Sequence, residues 1–143
     1  MTSFEKIMTQ EEKELLLEDL CARLPYGVKA QVKYPINTNG ECIITTKEIT
    51  SVNCKLDIVQ AENIDIIVGY YIFEVKPYLF PLSSMTEEQD KEYALLQTSA
   101  GKEGFLYAWN CANMMKWLNE NHFDYNGLIE KGLAIDATNK NIY

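Results

Sequence analysis

The sequence predicts an α+β fold: an N-terminal helix, a small, mostly antiparallel sheet of four or five strands, and a helical C-terminal part. Three observations predict it. Residues 9–24 carry a capping box and an apolar stripe at helical spacing. Residues 28–75 alternate or cluster strand-forming side chains between turn signals. Beyond Pro81 the helical pattern returns with a second capping box. The strand connections are too short for helical crossovers, so antiparallel pairing is expected. Of 143 residues, 47 % are apolar and 24 % charged. A chain of that length buries roughly two thirds of its unfolded surface and needs no disulfide or metal to hold a core. Residues 1–80 (helix plus sheet) and 81–143 (helical part) are expected to pack as one unit.

In the first helix, Thr9 is the expected N-cap and Glu12, three residues on, completes the box. Leu17, Leu20, Cys21 and Leu24 follow at i, i+3, i+4 and i+7, and Pro25 and Gly27 stop it. Residues 28–34 then alternate. Val28, Ala30, Val32 and Tyr34 take one face, and Lys29, Gln31 and Lys33 the other. A turn over 35–40 ends in Asn39-Gly40, which tolerates positive φ. Residues 41–49 are a second strand and 55–59 a third. The apolar runs 64–68 and 70–75 around Gly69 are one bulged strand or a tight hairpin. Pro77 and Pro81 mark a boundary. A helix follows Thr86-Glu87-Glu88-Gln89 to about Thr98, with Ser84 as an alternative cap. It should lie at the periphery, since its apolar side is only Tyr93 and Leu96. Gly101 and Gly104 form a loop, and residues 105–121 form a third helix. A short last helix over 126–131 is expected to be capped by Gly132, with Leu133-Ala134-Ile135 docking on the body.

Charge and cysteine usage narrow the function classes. The net charge is −8 and is evenly spread. Residues 1–80 hold 8 basic and 12 acidic groups and residues 81–143 hold 5 and 9, so each part is −4. With one Arg, Arg23, and scattered Lys, no basic patch exists to displace counterions from phosphates, and no nucleic-acid partner is expected. The longest apolar run, 64–73, is broken by Asp65 and too short to span a bilayer. The N-terminus lacks a signal-peptide pattern, so no membrane association and a cytoplasmic location are expected. Cys21, Cys42, Cys54 and Cys111 form no C-x-x-C pair, and there is a single His. No metal site or cofactor is expected, and the thiols read as reduced core residues.

Four constellations carry possible function. The third helix is apolar on two sides. Leu106, Trp109 and Trp117 share one of them, with Asn113 four residues from each tryptophan. Either residues 123–135 fold back over the tryptophans, or this face binds a protein partner, a role for which Trp is well suited. Asp65, Glu74 and Lys76 form the sparse carboxylate and Glu-x-Lys pattern of metal-dependent nucleases, in which carboxylates hold Mg²⁺ and the Lys orients water. His122 next to Asp124 reads as a helix-end cap or packing group, since no nucleophile is placed beside it. Glu11, Glu12, Glu14, Glu18 and Asp19 read as dipole-complementing and solvated acids of the first helix.

Two phrases are distinctive: residues 74–88 (EVKPYLFPLSSMTEE) and residues 117–134 (WLNENHFDYNGLIEKGLA). Together they resemble a group of small uncharacterised proteins encoded in prophages and mobile elements of gut Bacteroides-type bacteria. The resemblance implies an accessory gene and a bacterial or phage cytoplasm. It transfers no catalytic residue. It also favours reading Glu74-Val75-Lys76 as the start of a fold-marking segment. The expected function is a non-enzymatic protein-binding accessory protein with an unknown protein partner, no catalytic residue, and a surface at Leu106, Trp109, Asn113 and Trp117. The alternative is the nuclease at Asp65, Glu74 and Lys76.

Overall fold

The architecture, taken from a computed structural model that describes residues 8–35, 39–56, 58–61, 68–100 and 105–143, is α+β. Helix α1 spans Gln10–Arg23. Its capping box forms as expected: Thr9 Oγ1 accepts the Glu12 amide and Glu12 Oε1 accepts the Thr9 amide, both at 3.1 Å. A 3₁₀ turn over Leu24–Tyr26 ends it, and Gly27 reverses the chain at φ +72°. A Cβ at Gly27 would also meet Glu48 Oε1 at 3.2 Å. The buried side of α1 is Leu16, Leu17, Asp19, Leu20 and Arg23. That corrects the expected stripe: Cys21 is exposed, and Asp19 is 1 % exposed rather than solvated. The face rotates because Asp19 and Arg23, four residues apart, neutralise each other and enter together.

Five strands pair antiparallel throughout: β1 (Lys29–Pro35), β2 (Cys42–Asn53), β3 (Ile58–Ala61), β4 (Val68–Tyr71) and β5 (Val75–Pro81). Two further two-residue strands, β6 (Phe123–Asp124) and β7 (Ile135–Asp136), add parallel to β5. The order is β4-β3-β2-β1-β5-β6, with β7 also on β5. Of the two runs around Gly69, residues 64–67 fall outside the described residues, and the second, 70–75, does not continue as one strand. β4 pairs with β3, β5 pairs with β1, and a 3₁₀ turn over Ile72–Glu74 lies between. Four strand spacings separate β4 from β5 in the pairing order, about 19 Å in a flat sheet. The link from Tyr71 to Val75 reaches roughly 14 Å. The sheet therefore curls on itself. The bend lies in β2, whose first part pairs with β1 and whose last part pairs with β3 across a register shift between Ile49 and Ser51.

The concave face holds the core. Val28, Ala30 and Val32 alternate inward as their spacing predicts, and they meet Leu16, Leu20, Val59, Ile72, Val75 and Leu79. Pro77 lies inside β5 opposite Ala30, so it is part of the sheet and not a boundary.

Helix α2 (Glu87–Ala100) begins with the Thr86–Gln89 box, while Ser84 instead donates to the Pro81 carbonyl. Helix α3 spans Phe105–Glu120. No helix forms over 126–131. Gly127 and Gly132 take positive φ at either end, and the Asp124 carboxylate accepts the Leu128 and Ile129 amides at 2.9 and 3.0 Å. The segment folds as turns that bury Leu128, Leu133 and Ala134 against the core, and β7 docks next to them. The turn over 36–38, Asp65 and the Gly101–Gly104 loop fall outside the described residues. Among the described residues no helix is long and apolar enough to cross a membrane.

Candidate partner interface

Helix α3 divides the residues singled out on it. Trp117 is partly covered by the protein's own side chains. Its ring stacks on Tyr93 of α2 (centroids 5.8 Å apart) and on Phe123 (5.6 Å), and its Nε1 donates to Glu92 at 2.9 Å. It is a strut tying α2 and the C-terminal segment to α3. Trp109, two turns earlier, is 60 % exposed, and Asn113 beside it is exposed. Leu106 lies on α3, with its side chain outside the described residues. The two tryptophans share no closed apolar patch; the open part of this face is Trp109 with Asn113. The helical pair carries an excess of acidic side chains. Helices α2 and α3 carry Glu87, Glu88, Asp90, Glu92 and Glu120 against Lys91 and Lys116.

The single arginine proves to be internal. Arg23 has no exposed surface. Its Nε and Nη2 donate to the Asp19 carboxylate at 2.8 and 3.2 Å, and Nη2 also donates to the Phe123 carbonyl at 2.7 Å. Its guanidinium lies over the Tyr125 ring, 4.8 Å from the centroid. Asn126 donates to Asp19, and Tyr125 donates to Asn119. This knot joins α1 to the segment after α3, so the lone guanidinium serves cohesion and not anion recognition.

His122 sits beside the knot at φ +60° and is 8 % exposed. Its ring stacks on Tyr143 at 3.6 Å, its carbonyl accepts the Phe80 amide at 2.8 Å, and its Nδ1 has no partner. Burial, then the charges of Arg23 and Lys29, lower its pKa to about 4. It is therefore neutral at neutral pH. Asp124 does not pair with it, because that carboxylate is committed to the turn amides. No hydroxyl or thiol is hydrogen-bonded to its free nitrogen, so the base–nucleophile geometry of acyl or phosphoryl transfer is not assembled here.

Of the nuclease residues, the structure describes Glu74 and Lys76. Glu74 closes the 3₁₀ turn, half-buried, with its pKa raised by burial against the opposing effects of the Tyr71 backbone and Lys33. Lys76 lies two residues on, exposed in β5. Asp65 lies outside the described residues. Among the described residues no three His, Cys, Asp or Glu side chains converge as metal ligands. A groove of about 550 Å³ beside the β2–β3 turn is lined by Ser51, Asn53, Lys55, Leu56 and Gln60, among others.

Sequence reasoning missed the Arg23 knot. Its signal was present: Leu16, Asp19, Leu20 and Arg23 stand at i, i+3, i+4 and i+7, an amphipathic stripe with an ion pair inside it. Comparison of the chain with protein-family profiles, with curated proteins and with solved structures finds no match.

Proposed function

We propose that the chain is a non-enzymatic binding protein of the cytoplasm, of phage or mobile-element origin, that engages a protein partner through the outer face of α3. One observation carries this reading: Trp109, on a regular helix, leaves 60 % of its surface in water. Large aromatic side chains in water are costly to maintain and are the side chains most often buried at the centre of interfaces. The acidic excess of α2 and α3 favours a partner whose apolar pocket is rimmed by Lys or Arg. The two sequence phrases of residues 74–88 and 117–134 support the accessory-gene origin.

The test is affinity capture from the host during phage induction with wild-type protein and with Trp109→Ala. A protein retained by the wild type and lost with Trp109→Ala, but kept by the control Lys55→Ala, supports the reading. The same captured set with all three baits overturns it.

A further inference from the structure

Strand β2 is longer than either of its neighbours covers. Residues 42–48 pair with β1, and residues 49–53 pair with β3 on the opposite side. Among the described residues, no strand lies on the β3 side of residues 42–48. One bond sets the direction of the backbone groups: the Ile49 amide donates to the Val28 carbonyl at 2.9 Å, toward β1. Alternation along the strand then turns the amides and carbonyls of Cys42, Ile44 and Thr46 to the open side. The side chains are open as well, with Ile43 52 % and Ile44 53 % exposed. Natural sheets blunt such edges with proline, charge or a bulge. Residues 42–46, Cys-Ile-Ile-Thr-Thr, carry none of these, and their register with β1 is continuous.

We propose that a second copy of the chain completes this edge, residues 42–46 of the two β2 strands pairing antiparallel about a two-fold axis at Ile44. The self-complementarity of the segment selects the second copy and the register. With the axis at Ile44, Ile44 faces Ile44 of the copy, Cys42 faces Thr46, Ile43 faces Thr45, and Glu41 faces Lys47. The Ile44 and Cys42–Thr46 pairs are those whose outward amides and carbonyls exchange bonds. Glu41 and Lys47 come opposite each other at both ends of the interface, on one face of the joined sheet, so the charge match occurs twice. An axis at Thr45 would instead set Ile43 against Lys47 and Cys42 against Glu48. The length of the edge also fits. Ile49 faces Ala61 of β3, so the copy's strand must leave before that point. In this register Gly40 of the copy lies opposite Glu48, and the chain bends at Gly40 with φ +83°. The sheet then runs from β1 through the two β2 strands to the second β1. An edge this short gives a weak, concentration-dependent dimer and not an obligate one. It is a different surface from Trp109 on α3.

The test is sedimentation equilibrium of the full chain through the micromolar range, with residue-resolved amide exchange on the same samples. The mass should rise from 16.4 kDa toward twice that value, and the Ile44 and Thr46 amides should gain protection only as it does. Ile44→Pro removes an amide that points away from β1, so it should keep the wild-type melting temperature and hold the mass at 16.4 kDa. Ile44→Lys changes an exposed side chain and sets two ammonium groups at the axis, with the same result expected. Glu41→Lys should weaken association about fivefold, and adding Lys47→Glu should restore it. Trp109→Ala should associate as the wild type does. A mass of 16.4 kDa at every concentration overturns the proposal. So does protection of the Ile44 and Thr46 amides in the monomer, which means that the chain's own residues fill the edge. A dimer that survives both Ile44 variants, one lost with Trp109→Ala, or a charge swap that restores nothing overturns it equally.

Discussion

Arg23 and Asp19 meet at 2.8 Å with neither side chain exposed, and the consequence at the level of single residues is asymmetric. Arg23→Met strands a carboxylate in the interior and should cost about 3–5 kcal/mol in urea unfolding. Replacing both, as Asp19→Leu with Arg23→Met, should cost much less than the two single changes added, because no unpaired charge remains. His122 gives the pH response. Its folded pKa of about 4 lies below the unfolded 6.5. The unfolded chain thus binds more protons between these values, and stability falls as pH drops through that window. The loss from His122 between pH 7 and pH 5 should be about 2 kcal/mol. His122→Asn, which keeps a residue tolerant of positive φ, should remove that part of the slope. An identical slope in both proteins would refute the assignment. Neither behaviour could be read from residue types. The i, i+4 spacing of Asp19 and Arg23 is visible in the sequence, but their burial depends on Phe123, Tyr125 and Asn126, a hundred residues away.

Elements whose ends are set by local hydrogen bonds were readable, and those set by distant partners were not. The two capping boxes at Thr9–Glu12 and Thr86–Gln89 formed as their spacing required. Thr9→Ala should therefore lower stability by about 1 kcal/mol. The expected helix over 126–131 failed because its amides are claimed by the Asp124 carboxylate and its ends by two glycines. The run 70–75 failed for another reason. Local pattern marks it as strand, but tertiary pairing sends its start to β3 within β4 and its end to β1 within β5, with a 3₁₀ turn between. Helix α2 is mostly exposed and leans on α3 through Trp117, Tyr93 and Glu92. Trp117→Ala should speed hydrogen exchange across α2 while leaving the β1 amides protected. Unchanged α2 protection would show that the strut does not hold it.

For the whole molecule, the curled sheet places the C-terminal segment against the N-terminal helix. Tyr143 shows the closure: its hydroxyl donates to the Tyr78 carbonyl at 2.8 Å and accepts the Lys29 amide at 2.9 Å. The two tryptophans consequently differ in exposure, Trp109 open and Trp117 half-buried. Iodide or acrylamide quenching should be biphasic, with one accessible and one protected component. Trp109→Phe should leave only the protected, blue-shifted one. A single accessible component in the wild type would contradict the partial covering of Trp117. The binding reading depends on the same division, since it is Trp109 that remains open.

The sequence by itself determined the fold class, the start of each long helix, the inward alternation of β1 and the even spread of acidic charge along the chain. All are local or compositional properties, decided by spacing of a few residues or by counting charges. Tertiary structure alone decided that Trp117 is partly covered and Trp109 open, that the only arginine is internal, and that His122 is uncharged. Those outcomes depend on chain segments up to 100 residues apart. Burial and pairing are properties of the assembled surface, and no short stretch of chain contains them.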